Sequence, residues 1–225
     1  SAQKDARIAY LPQSGLTHHG RTLIDEADTA FEFGYKIQEE IDRIGDLLAG
    51  TASGQKDKNQ DAAKATNTNA LSNGTPTQIN TDALLIKQSD LMTKLEESGW
   101  HRRKATAESV LLGLGFSRED FSKMTEEFSG GWQMRIALAK ALMVNPDILL
   151  LDEPTNYLDI EARAWLEKFL GDYKGGFLLV SHDRYFLDHT INEVYELFNG
   201  DLKRYPGNFT HYEKVRAVEL ETLIA

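Results

Sequence analysis

Two acidic residues, Asp152 and Glu153, follow an apolar run in the sequence ILLLDEPTNYLD at positions 148–159. The run is typical of a buried strand, and Pro154 ends it. At the tip of such a strand Asp152 can bind Mg²⁺, directly or through water, and Glu153 can orient or deprotonate a water molecule that attacks a phosphate. The alternative is an exposed turn carrying two acids, which the PTNYLD sequence around them disfavours.

His182 ends a second apolar run, GGFLLVSHD, which predicts another buried strand. The strand–helix–strand order predicts a parallel sheet covered on both faces. Ligands of such sheets bind at the carboxyl ends of the strands, so the imidazole of His182 can there hydrogen-bond a γ-phosphate oxygen and the attacking water. We expect structural or surface roles for the other histidines, which are His18, His19, His101, His189 and His211.

Two further segments carry candidate ligands of a phosphate or a metal. Ser129, Gly130 and Gly131 precede the helix-forming run WQMRIALAKAL, so backbone amides at a helix N-terminus can face an anion without an obstructing side chain. Gln13 follows a short predicted strand, ARIAYLP at 6–12. It can contact Mg²⁺ or water, and an ordinary loop glutamine is an equally good interpretation.

The remaining segments predict the elements around these residues. Apolar stripes at Ile37, Ile41, Ile44 and Leu48, and at Leu84, Gln88, Leu91 and Leu95, predict two helices. The polar segment 49–80 between them predicts a flexible loop. The two helices can form an antiparallel hairpin or an ordinary pair of core helices. Asn199 and Gly200 predict a tight β-hairpin, and a charged amphipathic helix follows it.

Composition limits the class of protein. The chain has 225 residues, 41% of them hydrophobic, which fits one domain with an insertion or two small domains. It has no apolar run near the roughly 18 residues of a membrane span and no signal peptide. The absence of cysteine excludes disulfides and Cys-based zinc sites and is compatible with the cytoplasm.

The charge of the chain limits the class of protein less strictly than its composition does. A formal net charge of −10 argues against a general nucleic-acid binder. The basic run HRRK at 101–104 is the local exception, and it can be a solvated helix face or a phosphate contact.

Several of these motifs resemble one known family. FSGGW, ILLLDEPTNYLD and LLVSHDRYFLD are similar to the signature, the Walker B motif with its D-loop, and the switch histidine of ATP-binding cassette (ABC) proteins. SHDRYFLD and the Trp after SGG resemble the ABC-F subfamily, whose members carry two cassettes on one chain, act on ribosomes during translation and have no membrane domain. IAYLPQ resembles the Q-loop strand, and YPGNFTHYEKVRA resembles the start of the linker between cassettes.

The resemblance implies a fold and an organisation. It implies an α/β fold, a partial ABC-type P-loop NTPase cassette with a parallel sheet, a helical signature subdomain and an inserted helical hairpin arm. The Q-loop strand and the start of the helical region would occupy 5–34, the arm 35–98 and the signature subdomain 99–146. The Walker B and switch-histidine part of the core would occupy 147–207, and the linker helix would begin in 208–225.

The resemblance also implies roles for individual residues. Asp152 would bind Mg²⁺, Glu153 would activate the hydrolytic water, and His182 would act as the switch. Gln13 would sense the metal and the γ-phosphate. Ser129, Gly130 and Gly131 in the signature would bind the γ-phosphate of an ATP molecule held by the opposing cassette. Asp159, counted with the cofactor-binding residues, would belong to the D-loop that couples the two sites. Tyr157 stands where the family usually has His, and we expect it to tune the coupling between the two sites.

One expected motif is absent from this sequence. Phosphate-binding loops of this class end in Gly-Lys followed by Ser or Thr, and the chain contains no Gly-Lys dipeptide. We therefore expect a piece of a first cassette whose parent protein is a cytoplasmic ATPase that uses ATP and Mg²⁺, with its second cassette and the ribosome as partners. We expect the chain alone to bind ATP negligibly and to self-associate through open strand edges. The alternatives are the nucleotide-binding subunit of a membrane transporter and a docking cassette that does not hydrolyse ATP.

Overall fold

The computed structural model describes residues 6–13, 17–56 and 81–224. The helices are α1 (Leu23–Asp28), α2 (Glu32–Lys56), α3 (Thr81–Glu97), α4 (Arg103–Gly113), α5 (Gly130–Met143), α6 (Ile160–Asp172), α7 (Arg184–Thr190) and α8 (Phe209–Ile224). The strands are β1 (Ile8–Leu11), β2 (Ile148–Asp152), β3 (Gly176–Val180), β4 (Glu193–Phe198) and β5 (Asp201–Pro206). The chain divides into two units, one formed by Ser1–Ala30 with Lys104–Ala225 and the other by Phe31–Arg103.

The first unit contains a parallel sheet in the order β1-β2-β3. Leu11 lies opposite Leu151, and Asp152 lies opposite Val180, so the three strands end at the same edge. This arrangement confirms the α/β fold with a parallel sheet that the strand–helix–strand pattern predicts.

The two faces of this sheet differ in burial. On one face Leu11, Leu149 and Leu151 are buried, and α5 packs against β1. On the other face the side chains of Ile8, Tyr10, Leu178 and Val180 are each more than half exposed. The prediction of a sheet covered on both faces is therefore wrong for the described residues, and so is the prediction that β3 is fully buried. An unbroken apolar run such as FLLV does not reveal that only one of its faces has a neighbour.

Local sequence signals set the ends of several elements. Asp159 begins α6 by accepting a hydrogen bond from the Ala162 amide at 2.9 Å, and Asp183 begins α7 in the same way with Phe186 at 3.1 Å. Asn199 and Gly200, with φ of 52° and 89°, form the two-residue turn between β4 and β5, which confirms the predicted hairpin.

The second unit contains α2 and α3, which pack against each other. The stripe residues Ile37, Ile41, Ile44 and Leu95 are buried, and Lys87 Nζ lies 2.6 Å from Glu40 Oε1. The predicted flexible loop from residue 49 is wrong at its start, because α2 continues to Lys56. Each residue added to an existing helix forms another hydrogen bond, so a helix can extend beyond its apolar stripe. The rest of the predicted loop, 57–80, lies outside the described residues.

Among the described residues, no helix combines the length and apolar character that a bilayer crossing requires.

Candidate functional site

Asp152 and Glu153 lie at the carboxyl edge of the sheet. Asp152 is the last residue of β2, and the Glu153 amide donates a hydrogen bond to the Val180 carbonyl at 2.8 Å. Glu153 has a φ of 51°, in the left-handed region that non-glycine residues seldom adopt. Strained backbone of this kind is common at functional sites, where the surrounding structure holds it in place.

The structure brings Glu153 and His182 together. Nε2 of His182 lies 3.3 Å from Oε1 of Glu153, and the His182 amide donates to Oε2 at 3.4 Å. The carboxylate is buried and the imidazole is exposed. Apart from this contact with His182, Oε1 makes no hydrogen bond within the described residues, which is costly for a buried carboxylate oxygen and fits a site that accepts a proton from a bound water.

Gln13 follows β1 at the same edge but is not joined to the carboxylates. Leu11 pairs with Leu151, so Gln13 extends from the sheet where Asp152 ends β2. Gln13 is exposed, and in the described part of the chain no hydrogen bond links it to Asp152 or Glu153.

The residues that the structure describes include no group of three or more His, Asp or Glu side chains that could hold a metal ion. Mg²⁺ with a nucleotide takes only one or two protein carboxylates beside phosphate and water, so the half-buried Asp152 fits such an ion.

The signature residues form a second group together with the D-loop, which comprises residues 156–159. Ser129 is the residue before α5, and its side chain makes no capping hydrogen bond. A Cβ atom placed on Gly130 would have no neighbour within 4 Å, so no other residue crowds this position at the start of α5, where helix amides can face an anion. A Cβ on Gly131 would lie 3.2 Å from Cδ1 of Tyr157, so the Tyr157 ring packs beside the second glycine.

Arg135 of α5 joins these segments, and the sequence reasoning missed it. Its Nε donates to the Tyr157 carbonyl at 2.6 Å, and its Nη1 donates to the Leu114 carbonyl at 3.0 Å and to Asp159 Oδ2 at 2.9 Å. The Ala162 amide and the Arg135 guanidinium both lower the pKa of Asp159, and the amide has the larger effect. The available signal was an arginine within an otherwise apolar helix, MRIALAKAL.

A third group of polar residues, also missed, lies on α1, α5 and the segment before α1. His18 Nδ1 lies 2.9 Å from Glu26 Oε1, and Lys140 pairs with the same oxygen. Burial lowers the pKa of His18, and it outweighs the opposing charge of Glu26. Burial alone would raise the pKa of Glu26, but hydrogen bonding and charge from Lys140, with smaller help from His18 and Arg21, lower it overall. Gln133 of α5 also contacts this group, because its Oε1 accepts a hydrogen bond from the His18 amide at 3.0 Å.

Residues 1–156 match a protein-family model described as ABC transporter. The chain belongs to this family. Its relatives place it among the ABC-F cassettes, as the signature and switch motifs indicate. The match covers β1, the signature and the Walker B strand with Glu153, whereas Tyr157, Asp159 and His182 lie beyond its end.

Two curated relatives illustrate the similarity. The chain is 43% identical over 140 residues to the ATP-binding protein YdiF of Bacillus subtilis, covering 62% of this chain and 22% of that relative. It is 41% identical over 150 residues to ABC transporter F family member 3 of Arabidopsis thaliana, covering 66% of this chain and 21% of that relative. The aligned part of this ABC-F cassette thus spans about a fifth of the length of these relatives.

A solved structure agrees on the fold. The ATP-binding subunit of an ABC transporter superposes with a TM-score of 0.55 at 14% identity, covering 94% of this chain and 62% of that chain. At this identity the similarity concerns the fold alone, and it confirms a partial ABC-type cassette.

Proposed function

We propose that this chain is the hydrolytic part of the first cassette of an ABC-F ATPase. Cassettes of this family generally are ATPases that bind ATP with Mg²⁺. The observation that carries the proposal is the contact between Glu153 and His182, 3.3 Å apart at the carboxyl edge of a parallel sheet. A cassette that only docks on a partner would have little need of this pair.

The chain's own residues divide the work at that edge. Asp152 would hold Mg²⁺, together with Gln13 from the end of the neighbouring strand, and the ion's charge would offset the charge that develops on the phosphate oxygens. Glu153 orients the attacking water and accepts its proton, and burial limits the positions that its carboxylate can take. His182, exposed next to it, hydrogen-bonds a γ-phosphate oxygen.

The signature group serves a different nucleotide. Ser129, Gly130 and Gly131 lie at the N-terminus of α5, and Asp159 lies in the D-loop. As in other ABC proteins, we place them against the ATP held by the opposing cassette of the same protein. The chain alone lacks a Gly-Lys phosphate loop, so we further propose that it neither binds ATP tightly nor hydrolyses it.

The partner that we propose is the ribosome, in the cytoplasm, because SHDRYFLD and the Trp after SGG are similar to the translation-associated ABC-F subfamily. The test is Mg²⁺-dependent ATP hydrolysis by the full-length parent protein, with and without ribosomes and with and without membrane vesicles. We expect hydrolysis that ribosomes stimulate and vesicles do not. A parent protein with no ATPase activity under any condition would overturn the hydrolytic assignment, and activity insensitive to ribosomes would overturn the assignment of the partner.

A further inference from the structure

Arg135 binds three acceptors that belong to two separate segments. The Leu114 carbonyl follows the end of α4, whereas the Tyr157 carbonyl and the Asp159 carboxylate belong to the D-loop. One side chain of α5, the helix that begins with the signature glycines, therefore fixes the backbone of the D-loop and the Asp159 carboxylate that begins α6.

The surroundings of Arg135 are shaped for this one side chain. Its side chain is 10% exposed, and a charge at that depth is tolerated only when it is paired and hydrogen-bonded. The Trp132 ring lies 4.2 Å from the guanidinium carbon. Gly115 has a φ of 92°, and a Cβ there would lie 2.8 Å from Arg135 Nη1, so a larger residue would displace the guanidinium.

A second contact joins the same two segments. The Tyr157 ring packs beside Gly131, while the Tyr157 carbonyl accepts from Arg135. The D-loop is thus held to the signature helix at both its side chain and its backbone. Arg135 and Tyr157 also line a cavity of about 10 Å³ that Glu153 lines as well.

We propose that Arg135 is a positioning residue that holds the signature motif and the D-loop as one rigid unit. A displacement of the D-loop then moves the amides of Ser129, Gly130 and Gly131 with it. The proposal rests on the proposed function for the role of that unit in hydrolysis. Arg135 itself touches neither the nucleotide nor the attacking water.

The type of side chain matters for this role. The planar guanidinium offers five N–H donors in a fixed fork and can bind two backbone carbonyls and a carboxylate at once. Lysine keeps the positive charge but has a single nitrogen, which cannot reproduce the fork. Arg135→Lys therefore separates geometry from charge.

The test compares Arg135→Lys with Arg118→Lys in the full-length parent protein. Arg118 forms an exposed ion pair with Glu108 at 2.9 Å and serves as the matched control. We expect Arg135→Lys to lower kcat by about tenfold or more, because small misplacements of reacting groups are costly, while the affinity for ATP stays unchanged. The control should change neither. An unchanged kcat in Arg135→Lys would overturn the proposal, and so would an equal loss of kcat and of ATP affinity.

A second measurement does not depend on ATP hydrolysis. Amide hydrogen exchange in the parent protein should become faster at residues 156–159 in Arg135→Lys and stay unchanged in β2 and β3. If the parent has no ATPase activity, the proposed function fails, and this measurement still decides whether Arg135 holds the D-loop. Unchanged exchange at 156–159 would overturn the proposal.

Asp159→Asn gives a milder variant in case Arg135→Lys does not fold. The Asp159 side chain is 54% exposed, and its loss of charge weakens the same ion pair from the other side. We expect the same changes in kcat and exchange to a smaller extent. Unchanged kcat and unchanged exchange in Asp159→Asn would contradict the proposal.

Discussion

His182 Nε2 and Glu153 Oε1 lie 3.3 Å apart, yet the His182 side chain is 96% exposed and that of Glu153 is 3% exposed. The two residues can therefore have different roles. Glu153 is confined to one position by its surroundings, whereas His182 reaches outward and is free to contact a ligand.

Replacing His182 with Ala in the parent protein tests this division of roles. We expect kcat to fall by about 100-fold, as it does when one hydrogen-bond donor to a developing charge is removed, with little change in ATP affinity. His189→Ala is the control, since His189 contacts Tyr185 within α7. Steady-state kinetics with an ATP-binding titration check the result. Equal losses of kcat in His182→Ala and His189→Ala would count against a specific role of His182.

The group formed by His18, Glu26 and Lys140 predicts that the chain loses stability in acid. The pKa of His18 in the folded state is lowered from 6.5, mainly by burial, so the unfolded chain takes up a proton at this residue more readily than the folded chain. Stability is therefore fully present above pH 6.5 and is lost as pH falls through the lower folded-state pKa. The lowered pKa of Glu26 adds a further loss below pH 4.5.

The measurement for this group is thermal unfolding of the chain between about pH 8 and about pH 5, a range that brackets the ordinary pKa of histidine. The melting temperature of the wild type should fall on acidification. In His18→Gln, which cannot titrate, the fall should be smaller. The same pH dependence in both proteins would show that His18 is not responsible.

Gly113 and Gly171 make a matched pair for a packing prediction. The Trp165 indole lies directly over Gly113 in α4, and a Cβ atom there would overlap it, whereas a Cβ on Gly171 in α6 has no neighbour within 4 Å. We expect Gly113→Ala to destabilise the chain by about 1–3 kcal/mol through overpacking. Gly171→Ala should be neutral or stabilise it by up to about 1 kcal/mol. Denaturant unfolding measures both, and equal effects would contradict this account of the packing.

The exposed face of the sheet predicts self-association of the isolated chain. Leu178 and Val180 are each more than half exposed on β3, which has no second neighbouring strand among the described residues. Open strand edges and apolar faces favour pairing with another copy. Sedimentation velocity should show association that Leu178→Lys weakens and Val218→Lys, an exposed position on α8, does not. A monomer at all concentrations would refute this prediction.

The sequence was most informative where a local rule fixes the structure. Apolar runs predict β2 and β3, Asn199 and Gly200 predict the hairpin, and parallel pairing places Asp152 and His182 at one edge. The bond between Arg135 and Asp159 was not predictable, because two residues 24 positions apart meet only through the packing of α5 and the D-loop. The burial of His18 and Glu26 has the same origin, since it depends on how α1 packs against α5.

The role of Glu153 is the central claim, and single-turnover ATP hydrolysis by the parent protein tests it most directly. The comparison is between Glu153→Gln and Glu161→Gln, an exposed acid on α6. We predict that Glu153→Gln binds ATP as the wild type does. Its rate of hydrolysis should fall by about 100-fold or more, because the glutamine cannot accept a proton. Glu161→Gln should retain the wild-type rate. Hydrolysis at the wild-type rate in Glu153→Gln would show that this carboxylate does not activate the water.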